Sequence, residues 1–198
     1  MLIAAGRWRV FTAATATALS LAAVTVALFG AQVWVDFVKV GMPAQNLVLA
    51  DPQFVATPFY PTVFMNVRGL GASYAQAMTV QLCFSACAAA AVGWAFRLRG
   101  RADSQHLMAL FLTCSVAATP YLLAYDTLAT CFAALMLLDS SKLDAPGRRS
   151  AQLVYWLPII QLGLGAAHVP GPALIPPIFA IYLLMRIKSS TTAAEALA

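Results

Sequence analysis

An all-α, polytopic transmembrane bundle of about six spans, with an outward loop of short interfacial helices, is the fold this sequence predicts. Three observations lead there. The 198 residues are 62% hydrophobic and only 10% charged, with a mean hydropathy of +0.80, whereas a soluble domain carries about 25% charged residues. Apolar runs recur at residues 10–33, 74–96, 107–120, 127–138, 151–167 and 173–185. Between these runs the basic residues fall on alternate sides very unequally. Arg7, Arg9, Arg97, Arg99, Arg101, Lys142, Arg148, Arg149, Arg186 and Lys188 lie on one side, and only Lys39 and Arg68 on the other. The positive-inside rule then predicts cytoplasmic termini and an outward face made of residues 34–73, 121–126 and 168–172.

The first run, behind Arg7 and Arg9, is longer than the ~7–15 residues of a signal-peptide core and reads as a retained anchor. The runs at 10–33 and 74–96 reach the ~20 residues a crossing needs. Those at 107–120 and 127–138 are shorter. The net charge of +5 does not point to nucleic acid, because the basic residues sit in short clusters at helix ends. Membrane lipids, anionic headgroups in particular, are the expected partners.

The outward stretch 34–73 is too long for a plain connector. Apolar residues around Asp36 and Lys39, with Trp34 at headgroup depth, predict a short interfacial helix in which Asp36 and Lys39 pair. Met42-Pro43, Asp51-Pro52, Thr57-Pro58 and Tyr60-Pro61 then predict extended pieces. A second short helix is expected over Thr62–Gly69, with Pro61 at its first position and Gly69 or Gly71 ending it. Residues 1–188 are expected to form one membrane domain, and 189–198 a disordered cytoplasmic tail.

Cys83, Cys87, Cys114 and Cys131 all lie inside apolar runs without Cys-x-x-Cys spacing, so they read as packing thiols. Neither a metal nor a cofactor is implied. No phosphate-cradling Gly-Lys-Ser, His-Glu-x-x-His or Gly-x-Ser-x-Gly motif occurs, and Gly163-Leu-Gly165 follows no strand. The spans carry few polar groups beyond Gln81, Ser85 and Gln161, which argues against a transporter pathway.

Chemistry therefore concentrates on the outward face. Asp126, between two short apolar runs, either caps the helix that follows it or joins Tyr121 and Tyr125 in a pocket for polar substrate groups. The pocket reading has the two tyrosines one helical turn apart. His168, the one outward histidine, is either solvated or a ligand for phosphate or sugar groups. Arg68 holds either a lipid phosphate or its own loop.

Several of these segments resemble glycosyltransferase family 87. They are Arg7-Trp-Arg9 before an alanine-rich span, Tyr60-Pro-Thr-Val-Phe64, Arg68-Gly-Leu-Gly71 and, most specifically, Ala118-Thr-Pro-Tyr-Leu-Leu-Ala-Tyr-Asp126. The resemblance extends from about Leu2 to Lys188. It implies a bacterial plasma-membrane hexosyltransferase, specifically a mannosyltransferase, that uses a polyprenyl-phosphate sugar. A carboxylate would deprotonate the acceptor hydroxyl while the lipid phosphate departs. This chain reads Ala124-Tyr-Asp126 where the family reads Asp-Tyr-Asp. It resembles the C-terminal half of such enzymes, so the resemblance assigns the catalytic carboxylate elsewhere and leaves room for a partner chain that carries the other half. The rival expectation is a non-catalytic membrane protein that binds lipid or a partner subunit.

Overall fold

The computed structural model describes residues 1–51, 61–98, 100, 102–122, 124–139 and 143–196. The described residues form helices and turns in two compact units, Met1–Phe54 and Val55–Ala198.

The first unit opens with α1 (Trp8–Phe29), a mainly apolar helix of 22 residues, none of them buried by protein. Its threonine hydroxyls are donated back along the helix, Thr15 to Phe11 O at 2.9 Å and Thr17 to Ala13 O at 3.0 Å. That pairs these hydroxyl donors within the helix, on a surface suited to lipid. Gly30, at φ +80°, ends the helix.

After Gly30 the chain is helical almost without interruption through α2 (Gln32–Asp36), a π turn (Phe37–Gly41) and α3 (Met42–Ala50). This corrects the expected break at Met42-Pro43. The π turn shifts the hydrogen bonding by one residue, so that Met42 N–H reaches Phe37 O and Pro43 falls in the first turn of α3, where its missing N–H costs nothing. Asp36 accepts from Gln32 Nε2 at 2.8 Å, and among the described residues it makes no ion pair with Lys39, contrary to expectation. Asp51 caps the end of α3 in an extended conformation. The predicted extended pieces at 52–60 lie outside the described residues.

The second unit contains α4 (Val63–Gly69), α5 (Tyr74–Arg97), α6 (Ser104–Ala117), α7 (Leu128–Leu138), α8 (Ala145–Tyr155), α9 (Leu157–Ala166) and α10 (Ile175–Ala196). Ser73 and Gln76 start α5 with a reciprocal capping box. On α5 the buried positions Ala77, Gln81, Ala88, Val92 and Ala95 follow a helical stripe. Small residues there let α6 approach closely. The core joins Ala88 and Val92 to Leu110 and Cys114 of α6, Leu137 of α7, Val154 of α8, and Phe179 and Leu183 of α10. At the start of α6 the Asp103 carboxylate accepts from Gln105 N–H at 2.9 Å.

Three segments, Trp8–Phe29, Tyr74–Arg97 and Pro172–Ser190, are long and apolar enough to cross a bilayer, and Ser104–Ala117, Tyr125–Leu138 and Leu157–Ala166 are shorter apolar helices. At ~1.5 Å per residue, α6 covers roughly 21 Å, short of the ~30 Å hydrocarbon layer. Its residues are buried on several sides, so protein rather than lipid shields its ends.

The expected single run at 151–167 is instead two helices broken at Trp156. Pro158 has no N–H to offer the Val154 carbonyl one turn back. The Cys131 thiol of α7 fills the gap, 3.8 Å from Val154 O and 3.4 Å from Tyr155 O. The polar helix α8 starts at Asp144, whose carboxylate accepts from Gly147 N–H at 3.0 Å and from the Tyr182 hydroxyl at 3.0 Å, and pairs with Arg186 at 3.1 Å. The final helix continues to Ala196, through the stretch after Ser189 that composition alone assigned to a disordered tail.

Candidate functional site at one end of the second unit

The site is built outward from Gln81, a side chain with no solvent exposure in the middle of an alanine-rich helix. Such a group must find partners or leave a costly unpaired amide. Its Oε1 accepts from Phe64 N–H at 2.9 Å, and its Nε2 donates to Ala117 O at 3.0 Å. One turn on, Ser85 donates to Ala118 O at 2.6 Å. The carbonyls left open at the end of α6 are therefore satisfied from α5, and the same glutamine anchors the first turn of α4. In this way the Pro61–Gly71 segment and the Ala118–Asp126 segment are held at the same end of the bundle.

Helix α4 is fixed at both ends. Thr62 is its N-cap and accepts from Met65 N–H at 3.1 Å, which places Pro61 just before the cap rather than at the first helical position. At the other end Gly71, at φ +90°, closes a Schellman turn through Ala72 N–H to Val67 O and Gly71 N–H to Arg68 O. Phe64 is fully buried, edge-on to Tyr74 at 5.5 Å. Arg68 donates from Nη1 to Ala72 O at 2.9 Å, while its Nε is buried with no hydrogen-bond partner.

Two contacts bring in the later chain. Gln161 of α9 donates to Pro61 O at 3.4 Å, leaving its own buried Oε1 unpaired. Asn66 accepts from Gly171 N–H and donates to Thr62 O at 2.9 Å. The turn that holds Gly171 begins at His168, the only described non-glycine residue at positive φ, at 52°. There His168 N–H bonds to Gly165 O and Val169 N–H to Leu164 O, a second Schellman turn in which histidine takes the position usually given to glycine. The imidazole itself is exposed.

Tyr121 is half-buried in a non-helical stretch, and Tyr125 and Asp126 lie in a 3-10 turn, Ala124–Thr127. The two tyrosines therefore do not share a helix face, which corrects the expected one-turn spacing. Tyr125 is 63% exposed. The N-cap of α7 is Thr127, one residue beyond Asp126, and its side chain makes no capping bond. Arg68, Tyr121, Tyr125, Asp126 and His168 thus belong to segments gathered at one end, with the tightest links between the Arg68 helix and the turn that carries His168.

Sequence reasoning noticed Gln81, Ser85 and Gln161 only as isolated polar groups and passed over Asn66. An uncharged amide in an apolar helix was the available signal, since it requires a partner. At the opposite end of the unit His106, also passed over, is buried, with Nδ1 3.5 Å from Asp103 Oδ1 and Nε2 unpaired. Among the described residues no group of three or more His, Cys, Asp or Glu side chains is placed to hold a metal ion.

The sequence model of glycosyltransferase family 87 matches residues 1–125. That range covers the whole α4 segment and the 118–125 stretch, and it ends well before Lys188, where the sequence resemblance was expected to stop. No curated protein and no solved structure matches the chain. With more than half of its length matched and its helices long and apolar enough to span a bilayer, this membrane protein belongs to glycosyltransferase family 87.

Proposed function

We propose that the chain forms the lipid-carrier and acceptor surface of a hexosyltransferase that takes mannose from a polyprenyl phosphate at the outward face of a bacterial plasma membrane. The supporting observation is that Gln81 joins α4, which bears Arg68, to the end of α6 that leads into Tyr121 and Asp126. In this reading Arg68, with a buried Nε still open, holds the departing lipid phosphate, since a guanidinium is the side chain best matched to phosphate oxygens. Asp126 accepts from a hydroxyl of the sugar or acceptor, and the exposed Tyr125 ring and His168 border that surface. The ten-to-two division of basic residues supports cytoplasmic termini and an outward site.

Binding of a short-chain polyprenyl-phosphate mannose to the purified chain in detergent tests this reading without requiring turnover. Each charge-assisted bond lost should cost on the order of 1.5–3 kcal/mol, about tenfold or more in affinity. Arg68→Gln and Asp126→Asn should each weaken binding to that degree, with melting temperature unchanged for Asp126→Asn because Asn keeps the shape of Asp and the cap of α7 is Thr127. Unaltered affinity in Arg68→Gln would overturn the assignment.

A further inference from the structure

Opposite the candidate site, Asp103 and His106 at the start of α6 face Arg186, Ser189 and Ser190 of α10 around a cavity of about 350 Å³. Helix α6 runs from this cavity to the carbonyls held by Gln81, so roughly 20 Å separates the two places. The cavity also lies where hydrophobicity ends. The apolar run of the last helix ends at Met185, next to Arg186, and the apolar helix α6 begins at Ser104. It therefore sits at the depth of phospholipid headgroups.

Its hydrogen-bonding character is specific. Ser189 and Ser190 spend their hydroxyl protons on Arg186 O and Ile187 O, both at 2.9 Å, so toward a ligand they can only accept. His106 Nδ1 lies 3.5 Å from Asp103 Oδ1, whose carboxylate only accepts. The other nitrogen, Nε2, is buried and unpaired. Two hydroxyls and a carboxylate thus present lone pairs, with the unpaired imidazole nitrogen beside them. Beside them stands the Arg186 guanidinium, anchored by Asp144 at 3.1 Å. A ligand for this wall needs a hydrogen-bond-donating cation next to an anion.

We propose that this cavity binds the phosphoethanolamine headgroup of a membrane phospholipid. The primary ammonium is directed to Asp103, His106 and the two serines, and the phosphate to Arg186. The required feature is the N–H donors of the ammonium. A trimethylated choline headgroup has none, and a glycerol headgroup has no positive charge.

Full-length protein in detergent, titrated with phosphatidylethanolamine, phosphatidylcholine or phosphatidylglycerol of matched chains and read by native mass spectrometry, tests this. Phosphatidylethanolamine should bind about tenfold tighter than the other two, the ratio expected for a charge-assisted bond present in one and missing in the others. Asp103→Asn keeps the α6 cap but removes the anionic acceptor, and should abolish the preference. If that variant fails to fold, Ser189→Ala with Ser190→Ala decides, and the preference should fall there too. Equal binding of ethanolamine and choline lipids, or a preference that survives these substitutions, would overturn the proposal. Binding of soluble O-phosphoethanolamine as tight as that of the lipid would overturn the lipid as its source.

Discussion

Asn66 and Gly171 lie 105 residues apart in the chain, yet the Asn66 side-chain oxygen accepts the Gly171 backbone N–H, with the asparagine only 6% exposed. The same amide donates to Thr62 O at 2.9 Å, so one side chain fixes both the start of α4 and the turn after α9. Asn66→Leu would leave the Gly171 N–H and the Thr62 carbonyl without this partner. A loss of about 1–3 kcal/mol is expected, read as a lower melting temperature in detergent. Asn66→Asp keeps the acceptor and loses the donor, and should fall between the two. Wild-type stability in Asn66→Leu would show that the turn is held by other contacts.

A second tether sits at the other end of the unit. The Asp144 carboxyl is held below its ordinary value of 3.8, first by the Gly147 N–H bond, then by the Tyr182 hydroxyl and the Arg186 guanidinium. Because the folded value is depressed, the stabilisation is present above the unfolded value and is lost as pH falls through the folded one. Acid unfolding below about pH 4 should therefore be shallower in Asp144→Asn than in wild type, and the two curves should run parallel near neutrality. Gly147→Ala attacks the same tether sterically, since an added Cβ would collide with the Tyr182 hydroxyl and lie 2.7 Å from Asp144 Oδ1. Overpacking of this kind costs about 1–3 kcal/mol, measurable as a fall in melting temperature.

The break at Trp156 offers a pairwise test. If the Cys131 thiol replaces the donor that Pro158 lacks, Cys131→Val should be destabilising by roughly 0.5–1.5 kcal/mol. The loss should shrink in a Pro158→Ala background, where a backbone N–H becomes available to Val154 O. Equal losses in the two backgrounds, in a double-mutant cycle, would separate the thiol from the proline.

Local rules made much of this fold legible. The apolar runs at 74–96 and 173–185 appear as long helices, and the short helix expected over Thr62–Gly69 is present, with Gly71 in its closing turn. Three features were not legible, each because the deciding partner is distant or the register subtle. Pro43 reads as a breaker unless a π turn precedes it. Pro158 divides a run that looks continuous, and the break persists because a thiol from another helix fills it. The site depends on Gln81, whose partners are 17 and 36 residues away, and nothing in the alanine-rich sequence around it names them. Tyr121, Tyr125 and Asp126 were recognisable as polar groups in an apolar setting, but their mutual geometry followed from a 3-10 turn that the sequence did not announce.

The most direct test of the account is photocrosslinking with a polyprenyl phosphate that carries a photoreactive group near the phosphate, followed by peptide mapping of the full chain. Crosslinks should fall in residues 61–72 and 118–128, the two segments joined through Gln81, and should weaken in Arg68→Gln. Crosslinks confined to the Asp103, His106 and Arg186 end, or labelling indifferent to Arg68, would contradict it.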